Sequence, residues 1–252
     1  RPAVIDLHRN RPGLLVLIDP GRTDAGQAGA LARAARAAGA AGVLVGGSFD
    51  GTQETSRVAA AVRDAAPGLP LLLFPGSAMQ LTDQVDIILF LSLVSGRNPQ
   101  YLIEEQVRAV PFLQHHPVPT LSTGYILIDG GRVTSVEAVS QTRPLPADKP
   151  ELAAAHARAA RLIGMQAVYL DSGSGAERPV PPPVIAACRS ALADPAALLF
   201  VGGGIRTPAE AGAARAAGAD YIVIGTVLER AGSGEPALER FVTAVREGGG
   251  RP

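Results

Sequence analysis

The sequences AVYLDSGSGA at residues 167–176 and LLFVGGGIR at residues 198–206 decide the fold. Each begins with a short apolar run, as is typical of a β-strand buried on both faces, and continues into a glycine-rich turn. A helix-like segment, residues 183–192, lies between them. This order is typical of two parallel strands joined by a crossover helix, so the two stretches predict a βαβ unit.

The same alternation extends in both directions along the chain. The predicted strands are residues 14–19, 42–46, 71–74, 86–91, 121–128, 167–171, 197–201 and 221–224. The predicted helices are residues 27–38, 52–65, 99–110, 150–162, 183–192, 208–217 and 236–246. Eight strands at this spacing in 252 residues favour a closed (β/α)₈ barrel, the TIM barrel, over an open α/β sheet. No linker divides the chain, so we expect a single domain over residues 1–252.

The connection after the third predicted strand departs from this pattern. Pro75, Gly76 and Ser77 interrupt the chain directly after the strand. Too few residues remain before the fourth strand, at residue 86, for a full crossover helix. We therefore expect a truncated unit at this point of the barrel.

Composition and charge exclude several classes of function. The chain has 23 Lys and Arg and 23 Asp and Glu, whereas nucleic-acid-binding proteins usually carry a basic excess. Cys188 is the single cysteine, which excludes an internal disulfide or a thiolate metal cluster in this sequence. The longest apolar run, residues 87–94, is too short to cross a bilayer, and residues 1–3 do not begin a hydrophobic signal peptide. We expect a cytoplasmic protein that binds no nucleic acid.

The loops after the sixth, seventh and eighth strands are rich in glycine. In an α/β barrel the loops after the strands form the active face, and glycine lets backbone amides approach an anion. Because the three loops occupy neighbouring positions, they favour a phosphate site over three unrelated tight turns. The residues concerned are Ser172, Gly173, Ser174, Gly175, Gly202, Gly203, Gly204, Gly225 and Thr226.

Four further side chains at this face are candidates for chemistry. Asp171 ends the sixth strand, where its carboxylate can either accept a proton from a substrate hydroxyl or cap the following turn. Asp19 ends the first strand and Ser48 follows the second; their oxygens suit Mg²⁺, although Asp19 before Pro20 is also typical of a turn. Arg206 either neutralises a phosphate or faces solvent at a helix start. The residues alone leave these alternatives open.

Several segments of the sequence resemble the geranylgeranylglyceryl phosphate synthase family. They are LIDP at residues 17–20, GGS at 46–48, FLSLVSGRNPQYLI at 90–103, TGYILIDGG at 123–131, YLDSGSGA at 169–176, VGGGIR at 201–206 and IGT at 224–226. Together they cover nearly the whole chain, from about residue 14 to residue 229. The TGYILIDGG segment is similar to the branch of the family called group II.

The resemblance implies a Mg²⁺-dependent prenyltransferase on a modified TIM barrel whose third helix is replaced by a loop. Such an enzyme joins a polyprenyl diphosphate, geranylgeranyl or similar, to the 3-hydroxyl of sn-glycerol 1-phosphate and releases diphosphate. The loop opens a groove for the prenyl tail. The resemblance also implies a homo-oligomer, a dimer or a hexamer.

By position, the resemblance assigns roles to individual residues. Asp19 and Ser48 would bind Mg²⁺, and Asp171 would be the catalytic base that accepts the hydroxyl proton. The glycerol phosphate would be bound by Tyr169, Leu170, Asp171, Ser172, Gly173, Ser174, Gly175, Gly203, Gly204, Gly225 and Thr226.

Two positions depart from the family pattern, and other functions stay open. The family usually has glutamate where this chain has Asp171, and Asp-Pro-Asp where it has Asp19, Pro20 and Gly21. Both differences leave room for another three-carbon phosphate acceptor, such as 3-phosphoglycerate. A phosphate-binding barrel that acts as an isomerase or synthase, without a prenyl groove, is a second alternative. A non-catalytic barrel that binds phosphorylated metabolites is the third.

Overall fold

Eight parallel strands form a closed barrel in the computed structural model, which describes residues 6–47, 53–225 and 235–248. The strands are β1 (Gly13–Ile18), β2 (Gly42–Val45), β3 (Leu71–Leu73), β4 (Ile87–Leu93), β5 (Thr120–Leu127), β6 (Ala167–Asp171), β7 (Leu198–Gly202) and β8 (Tyr221–Ile224). Each strand pairs with the next, and β8 returns to β1, where Gly13 lies opposite Tyr221. The predicted TIM barrel is confirmed.

Helices surround the barrel and pack on it through small side chains. Within the described ranges they are α1 (Ala25–Ala37), α2 (Thr55–Ala65), α3 (Glu105–His115), α4 (Ser135–Ser140), α5 (Pro150–Leu162), α6 (Pro182–Leu192), α7 (Pro208–Ala216) and α8 (Glu235–Glu247). On α5, Ala153, Ala157 and Ala160 are buried, because this spacing places them on one helical face. α7 begins with a capping box in which Thr207 and Glu210 each satisfy the other's backbone amide. Among the helices described here, none is long and apolar enough to cross a membrane.

The connection from β3 to β4 contains no α-helix. A single 3₁₀ turn, Ala78–Gln80, stands in its place, which confirms the expected loop at the third position of the barrel. Gln80, which is 2% exposed, holds this connection. Its Nε2 donates to the Gly47 carbonyl at 3.1 Å, and its Oε1 accepts from the Gly76 amide at 2.7 Å. Hydrogen bonds of one buried side chain therefore fix the path of the connection where the barrel has no third helix.

Two segments differ from the sequence-based prediction. Helix α4 lies between β5 and α5, where the sequence analysis predicted no helix. The helix predicted to end at Val110 continues through Pro111 for more than a turn, and a π-helical turn precedes it. Proline removes one intrahelical hydrogen bond, but Phe112 and Leu113 beyond it pack against the core, and this burial stabilises the last turn.

The few aromatic side chains concentrate inside the barrel. Phe74, Tyr169, Phe200 and Tyr221 stack in a row, with successive ring centroids 4.9, 6.0 and 5.1 Å apart. Leucines such as Leu44 fill the remaining interior. The row ends at Phe74, directly after β3, so it links the barrel interior to the shortened third connection.

Candidate active site

The loops after β6 and β7 meet at the carboxyl end of the barrel and touch through their backbones. Gly203 has a φ of +76°, and a Cβ atom there would lie 2.3 Å from Asp171 Oδ1 and 2.7 Å from the Gly173 amide nitrogen. Gly204 has a φ of +70°, and a Cβ there would lie 2.6 Å from the Arg178 carbonyl oxygen. Both the positive φ and the close contacts require glycine.

Residues 172–175, with Gly203 and Gly204, form what we call the glycine cradle. It is open on one side with respect to the described residues, since a Cβ on Gly175 would meet none of their atoms within 4 Å. Backbone that carries no intervening side chains is the usual way in which loops approach a phosphate group. The phosphate site therefore stays a prediction, and the glycine backbone of the cradle is the feature that supports it.

The other residues predicted to bind substrate occupy different environments. Gly225 lies beside the end of β1, where an added Cβ would be 3.3 Å from Leu17 Cβ. Tyr169 is buried among the rings of the barrel interior, close to the base of the cradle. Leu170 is buried in the layer between strands and helices, so its side chain points away from the cradle. Thr226 lies outside the described residues.

Arg206 ties the two loops of the cradle together. Its guanidinium group donates to the carbonyl oxygens of Ala176 at 2.6 Å and Glu177 at 3.1 Å. Its own amide donates to the Glu210 carboxylate at 2.7 Å. The sequence offered phosphate contact or solvent exposure for this side chain. Arg206 is exposed, and its guanidinium group also links the β7–α7 and β6–α6 connections.

Asp171 is buried where β6 ends, between the cradle and the barrel interior, and is 7% exposed. Its Oδ1 accepts a hydrogen bond from the Gly173 amide at 2.8 Å, so it does cap its own turn. Its Oδ2 accepts a hydrogen bond from the Tyr125 hydroxyl at 2.5 Å. The carboxylate therefore combines a turn-capping contact with a buried position beside the predicted phosphate site.

This environment changes the acid–base properties of the site. Burial raises the pKa of the Asp171 carboxyl group, and the hydrogen bonds from Tyr125 and Gly173 oppose that rise only in part. Burial raises the pKa of the Tyr125 and Tyr169 hydroxyls well above the usual value, and the negative charge of Asp171 raises it further. Both hydroxyls therefore remain protonated near neutral pH. A carboxylate with a raised pKa is a stronger proton acceptor than an exposed one, which suits a general base.

Asp19 is the described member of the predicted metal pair, since Ser48 lies outside the described residues. Its Oδ1 accepts from the Gly21 amide at 2.9 Å, and its Oδ2 lies 3.7 Å from Arg22 Nε. A Cβ on Gly47 would lie 2.8 Å from Oδ1, so the carboxylate reaches the chain just before Ser48. Across the described ranges, no three His, Cys, Asp or Glu side chains group as a metal site. The Mg²⁺ site stays a prediction that rests on the Asp19 carboxylate, because Mg²⁺ retains several waters and needs few protein ligands.

An apolar groove runs from Tyr125 along the shortened third connection. It encloses about 810 Å³ of space, part of which is open to solvent. Its walls include Phe74, Ala78, Ile88, Leu91, Ala109 and Val136. Because the 3₁₀ turn covers less of the sheet than a helix would, the groove remains open between this connection and α3.

Tyr125 and Phe74 are site residues that the sequence analysis missed. In the register of β5 and β6, Tyr125 lies opposite Tyr169, two residues before the pair that contains Asp171. The Tyr125 ring centroid lies 5.9 Å from that of Phe74 and 5.7 Å from that of Tyr169. The TGYILIDGG segment contains Tyr125, but its contact with a carboxylate on the next strand depends on strand register, which the segment does not specify.

Comparison with known proteins matches the chain to one family over nearly its full length. Residues 5–247 match the model of the PcrB family. The chain is 40% identical over 232 residues to the geranylgeranylglyceryl phosphate synthase of Methanothrix thermoacetophila, covering 92% of this chain and 89% of that protein. It is 43% identical over 241 residues to that of Cenarchaeum symbiosum, covering 95% of each. It is also similar to the crystal structure of (S)-3-O-geranylgeranylglyceryl phosphate synthase from Thermoplasma acidophilum in complex with substrate sn-glycerol-1-phosphate (TM-score 0.88, 32% identity, 95% of both chains).

The substitution Gly203→Ala tests whether the close packing of the cradle is needed for anion binding. The added methyl group would displace the Asp171 carboxylate or the loop after β6. We therefore expect binding of inorganic phosphate to weaken by about tenfold or more, equivalent to about 1.4 kcal/mol. Isothermal titration calorimetry of the wild type and the variant measures the two dissociation constants.

Gly164→Ala is the matched control for this experiment. Gly164 also has a positive φ, +96°, but a Cβ there would meet no atom within 4 Å. Both variants carry left-handed backbone strain of about 1–2 kcal/mol, and only Gly203→Ala adds a clash at the cradle. Unchanged phosphate affinity is expected for the control, and wild-type affinity in Gly203→Ala would argue against the cradle as the phosphate site.

Proposed function

The chain belongs to the PcrB family, and on this basis we propose that it is an ether-forming prenyltransferase. It joins a polyprenyl diphosphate, geranylgeranyl or similar, to the 3-hydroxyl of sn-glycerol 1-phosphate and releases diphosphate. The observation that carries this proposal is the meeting of an apolar groove and a glycine cradle at one buried carboxylate, Asp171. The groove suits a hydrocarbon chain, and the cradle suits a phosphate group.

The reaction needs one proton acceptor beside the acceptor hydroxyl. As the hydroxyl oxygen bonds to the first carbon of the prenyl chain, the bond from that carbon to diphosphate breaks and its electron pair leaves with diphosphate. Asp171 takes the hydroxyl proton, which keeps the charges balanced. The cradle fixes the phosphate end of the acceptor, so that positioning lowers the barrier in addition to the proton transfer.

The groove positions the donor and keeps water from the reacting carbon. Phe74 and Tyr125 line the groove next to Asp171, so the diphosphate end of the prenyl chain would lie near their rings. Aromatic faces stabilise positive charge, which develops on an allylic carbon as diphosphate leaves. The rest of the chain would extend towards Ala109 and Ile88, along apolar walls.

We further propose that Mg²⁺ binds at the end of β1, held by Asp19 and Ser48. When bound, the ion would neutralise charge on the leaving diphosphate. Asp19 lies on the same rim as the cradle, and its carboxylate packs against Gly47, the residue that precedes Ser48. Arg22, 3.7 Å from Asp19, adds positive charge at this edge of the barrel.

Other functions have less support from the site. An isomerase or synthase with a phosphate-binding barrel needs no long apolar groove beside its carboxylate. A non-catalytic binding protein needs no buried carboxylate with a raised pKa. Prenyl transfer to another three-carbon phosphate, such as 3-phosphoglycerate, would use the same groove and cradle. Product formation from sn-glycerol 1-phosphate or from 3-phosphoglycerate therefore decides between these two acceptors.

We also propose that the protein acts as a cytoplasmic homo-oligomer, a dimer or a hexamer. Ile103, Val107 and Val110 are 58%, 62% and 44% exposed. Their spacing places them on one outer face of the segment that leads into and forms α3. An exposed apolar face of this kind is typical of surfaces that pair with another protein surface.

Asp171→Asn tests the reaction and the base together. Wild-type protein with Mg²⁺, sn-glycerol 1-phosphate and geranylgeranyl diphosphate should form the ether, detected by mass spectrometry. Asparagine keeps the size of the side chain but cannot accept the proton near neutral pH, so kcat should fall by about 100-fold or more. Calorimetry should show that the variant still binds sn-glycerol 1-phosphate.

The other outcomes of this assay are informative. Product from 3-phosphoglycerate but not from sn-glycerol 1-phosphate would reassign the acceptor. Binding of glycerol phosphate without product from any donor would favour the non-catalytic alternative. Wild-type turnover by Asp171→Asn would remove Asp171 from the role of base.

Asp19→Asn tests the proposed Mg²⁺ site. The substitution removes one carboxylate charge, so the Mg²⁺ concentration that gives half-maximal rate should rise by about tenfold. Asp129→Asn is the matched control. Asp129 Oδ1 accepts a hydrogen bond from the Gly131 amide at 2.8 Å, just as Asp19 Oδ1 accepts one from the Gly21 amide. An equal rise of the half-maximal Mg²⁺ concentration in both variants would contradict the assignment of Asp19 as a Mg²⁺ ligand. So would a wild-type rate that does not change when EDTA removes Mg²⁺.

Ala109→Phe tests whether the groove sets the length of the donor. Helix α3 returns along β4, so Ala109 lies towards the Ile88 end of the groove, away from Tyr125. The larger ring would fill that end, and we expect preference to shift from geranylgeranyl towards farnesyl diphosphate by about tenfold in kcat/KM.

His115→Phe is the control for this prediction, because His115 is exposed on the same helix and belongs neither to the groove walls nor to the face formed by Ile103, Val107 and Val110. It should keep the wild-type donor preference. If Ala109→Phe lowers the thermal unfolding midpoint together with all activities, the smaller Ala109→Val substitution repeats the test. Unchanged preference in stable variants would show that the donor lies elsewhere.

A further inference from the structure

The hydrogen bond between Tyr125 and Asp171 joins the two halves of the site. Asp171 Oδ1 accepts from the Gly173 amide at 2.8 Å, and Gly203 packs so closely that an added Cβ would be 2.3 Å from this oxygen. Oδ1 therefore faces the cradle. Oδ2 accepts from the hydroxyl of Tyr125 at 2.5 Å, and the Tyr125 side chain lines the groove. The carboxylate thus has one oxygen towards each half of the site.

Tyr125 is fixed in place by its neighbours. It is 5% exposed, and its ring packs beside the stacked pair of Phe74 and Tyr169, with centroids 5.9 and 5.7 Å away. Its backbone pairs with Leu93 of β4 on one side and with β6 on the other. Because both the ring and the backbone are held, the hydroxyl stays at Asp171.

We propose that Tyr125 is a positioning residue whose hydroxyl holds Asp171 so that Oδ1 is presented, ionised, to the acceptor hydroxyl. The inference rests on the proposed function, in which Asp171 accepts the proton. Rotation about the last side-chain bond of an aspartate exchanges its two oxygens, and the torsion is soft. Two donors, one on each oxygen, oppose that rotation. Tyr125 thereby holds the carboxylate group of the buried Asp171 side chain in one orientation.

The groups that face Asp171 set the sign of the expected pH effect. Tyr125 faces it from β5 and Tyr169 lies near it on β6, while β7 ends at Gly202 and presents backbone. Burial raises the pKa of Asp171, and the hydrogen bonds from Tyr125 and Gly173 lower it. Without the Tyr125 hydroxyl, burial is less opposed, so the pKa of Asp171 should rise. The base would then be protonated, and inactive, up to a higher pH.

The test is the pH–rate profile of Tyr125→Phe, which keeps the ring and removes the hydroxyl. At pH 7 we expect kcat to fall by about tenfold or more, with little change in KM for sn-glycerol 1-phosphate. The acidic limb of the kcat profile should move to higher pH by about one unit. In the Asp171→Asn background, Tyr125→Phe should lower the residual rate by less than about twofold, because the two residues act as one unit.

Tyr221→Phe is the matched control. Tyr221 belongs to the row of rings against which Tyr125 packs, and its buried hydroxyl donates to the Leu7 carbonyl at 2.5 Å rather than to a carboxylate. Both substitutions remove one buried hydroxyl from the barrel interior, so they share any general loss of stability. The control should leave the acidic limb of the profile where it is in the wild type.

A measurement without turnover separates this inference from the proposed function. Carbon-13 NMR of aspartate-labelled protein reports the carboxyl pKa of Asp171, whose signal is assigned by its loss in Asp171→Asn. A higher pKa in Tyr125→Phe supports the inference, and an unchanged pKa together with an unmoved acidic limb overturns it. If the wild type forms no ether, the proposed function fails, while the NMR comparison still decides whether Tyr125 controls the protonation of Asp171.

Discussion

In a closed barrel of eight parallel strands every strand runs in the same direction, so all eight carboxyl ends lie on one rim. Here the ring is completed by the pairing of β8 with β1. Asp19 follows β1, Asp171 ends β6 and the second half of the cradle follows β7, so residues more than 150 positions apart share one face. Closure therefore brings the candidate metal ligand, the proposed base and the glycine cradle to one face of the barrel.

The second constraint is the helix that the barrel lacks. Without a helix over β3 and β4, Phe90 and Leu91 of β4 are only partly buried, although the other apolar side chains of these strands are covered. Partial exposure of apolar side chains is unfavourable in water. The shortened connection is instead held by polar contacts: Gln80 bonds to the Gly47 carbonyl, and the Glu105 carboxylate of α3 accepts from the Ala78 amide at 2.7 Å. These contacts fix the edges of the groove and leave its apolar walls open. A bound hydrocarbon chain would cover them and recover the hydrophobic stabilisation that the missing helix does not supply.

Particular residues show where sequence reasoning reached its limit. The truncated third unit was predictable, because Pro75 and Gly76 and the short distance to the next strand are local features. The role of Arg206 was not, since its partners are the carbonyl oxygens of Ala176 and Glu177, about 30 positions away on another loop. The helix through Pro111 was also missed, because local propensity argues for an end there and burial of the following residues outweighs it.

The sequence by itself determined the alternation of strands and helices, the glycine loops and the carboxylates at strand ends. These features depend on periodicity and on the backbone freedom of glycine, both of which are properties of short segments. Only the tertiary structure decided that Tyr125 bonds to Asp171, that the rings form a row, and that the groove opens beside them. The physical reason is that these contacts depend on strand register and on which side chains point inward, and both are set by the closed barrel as a whole.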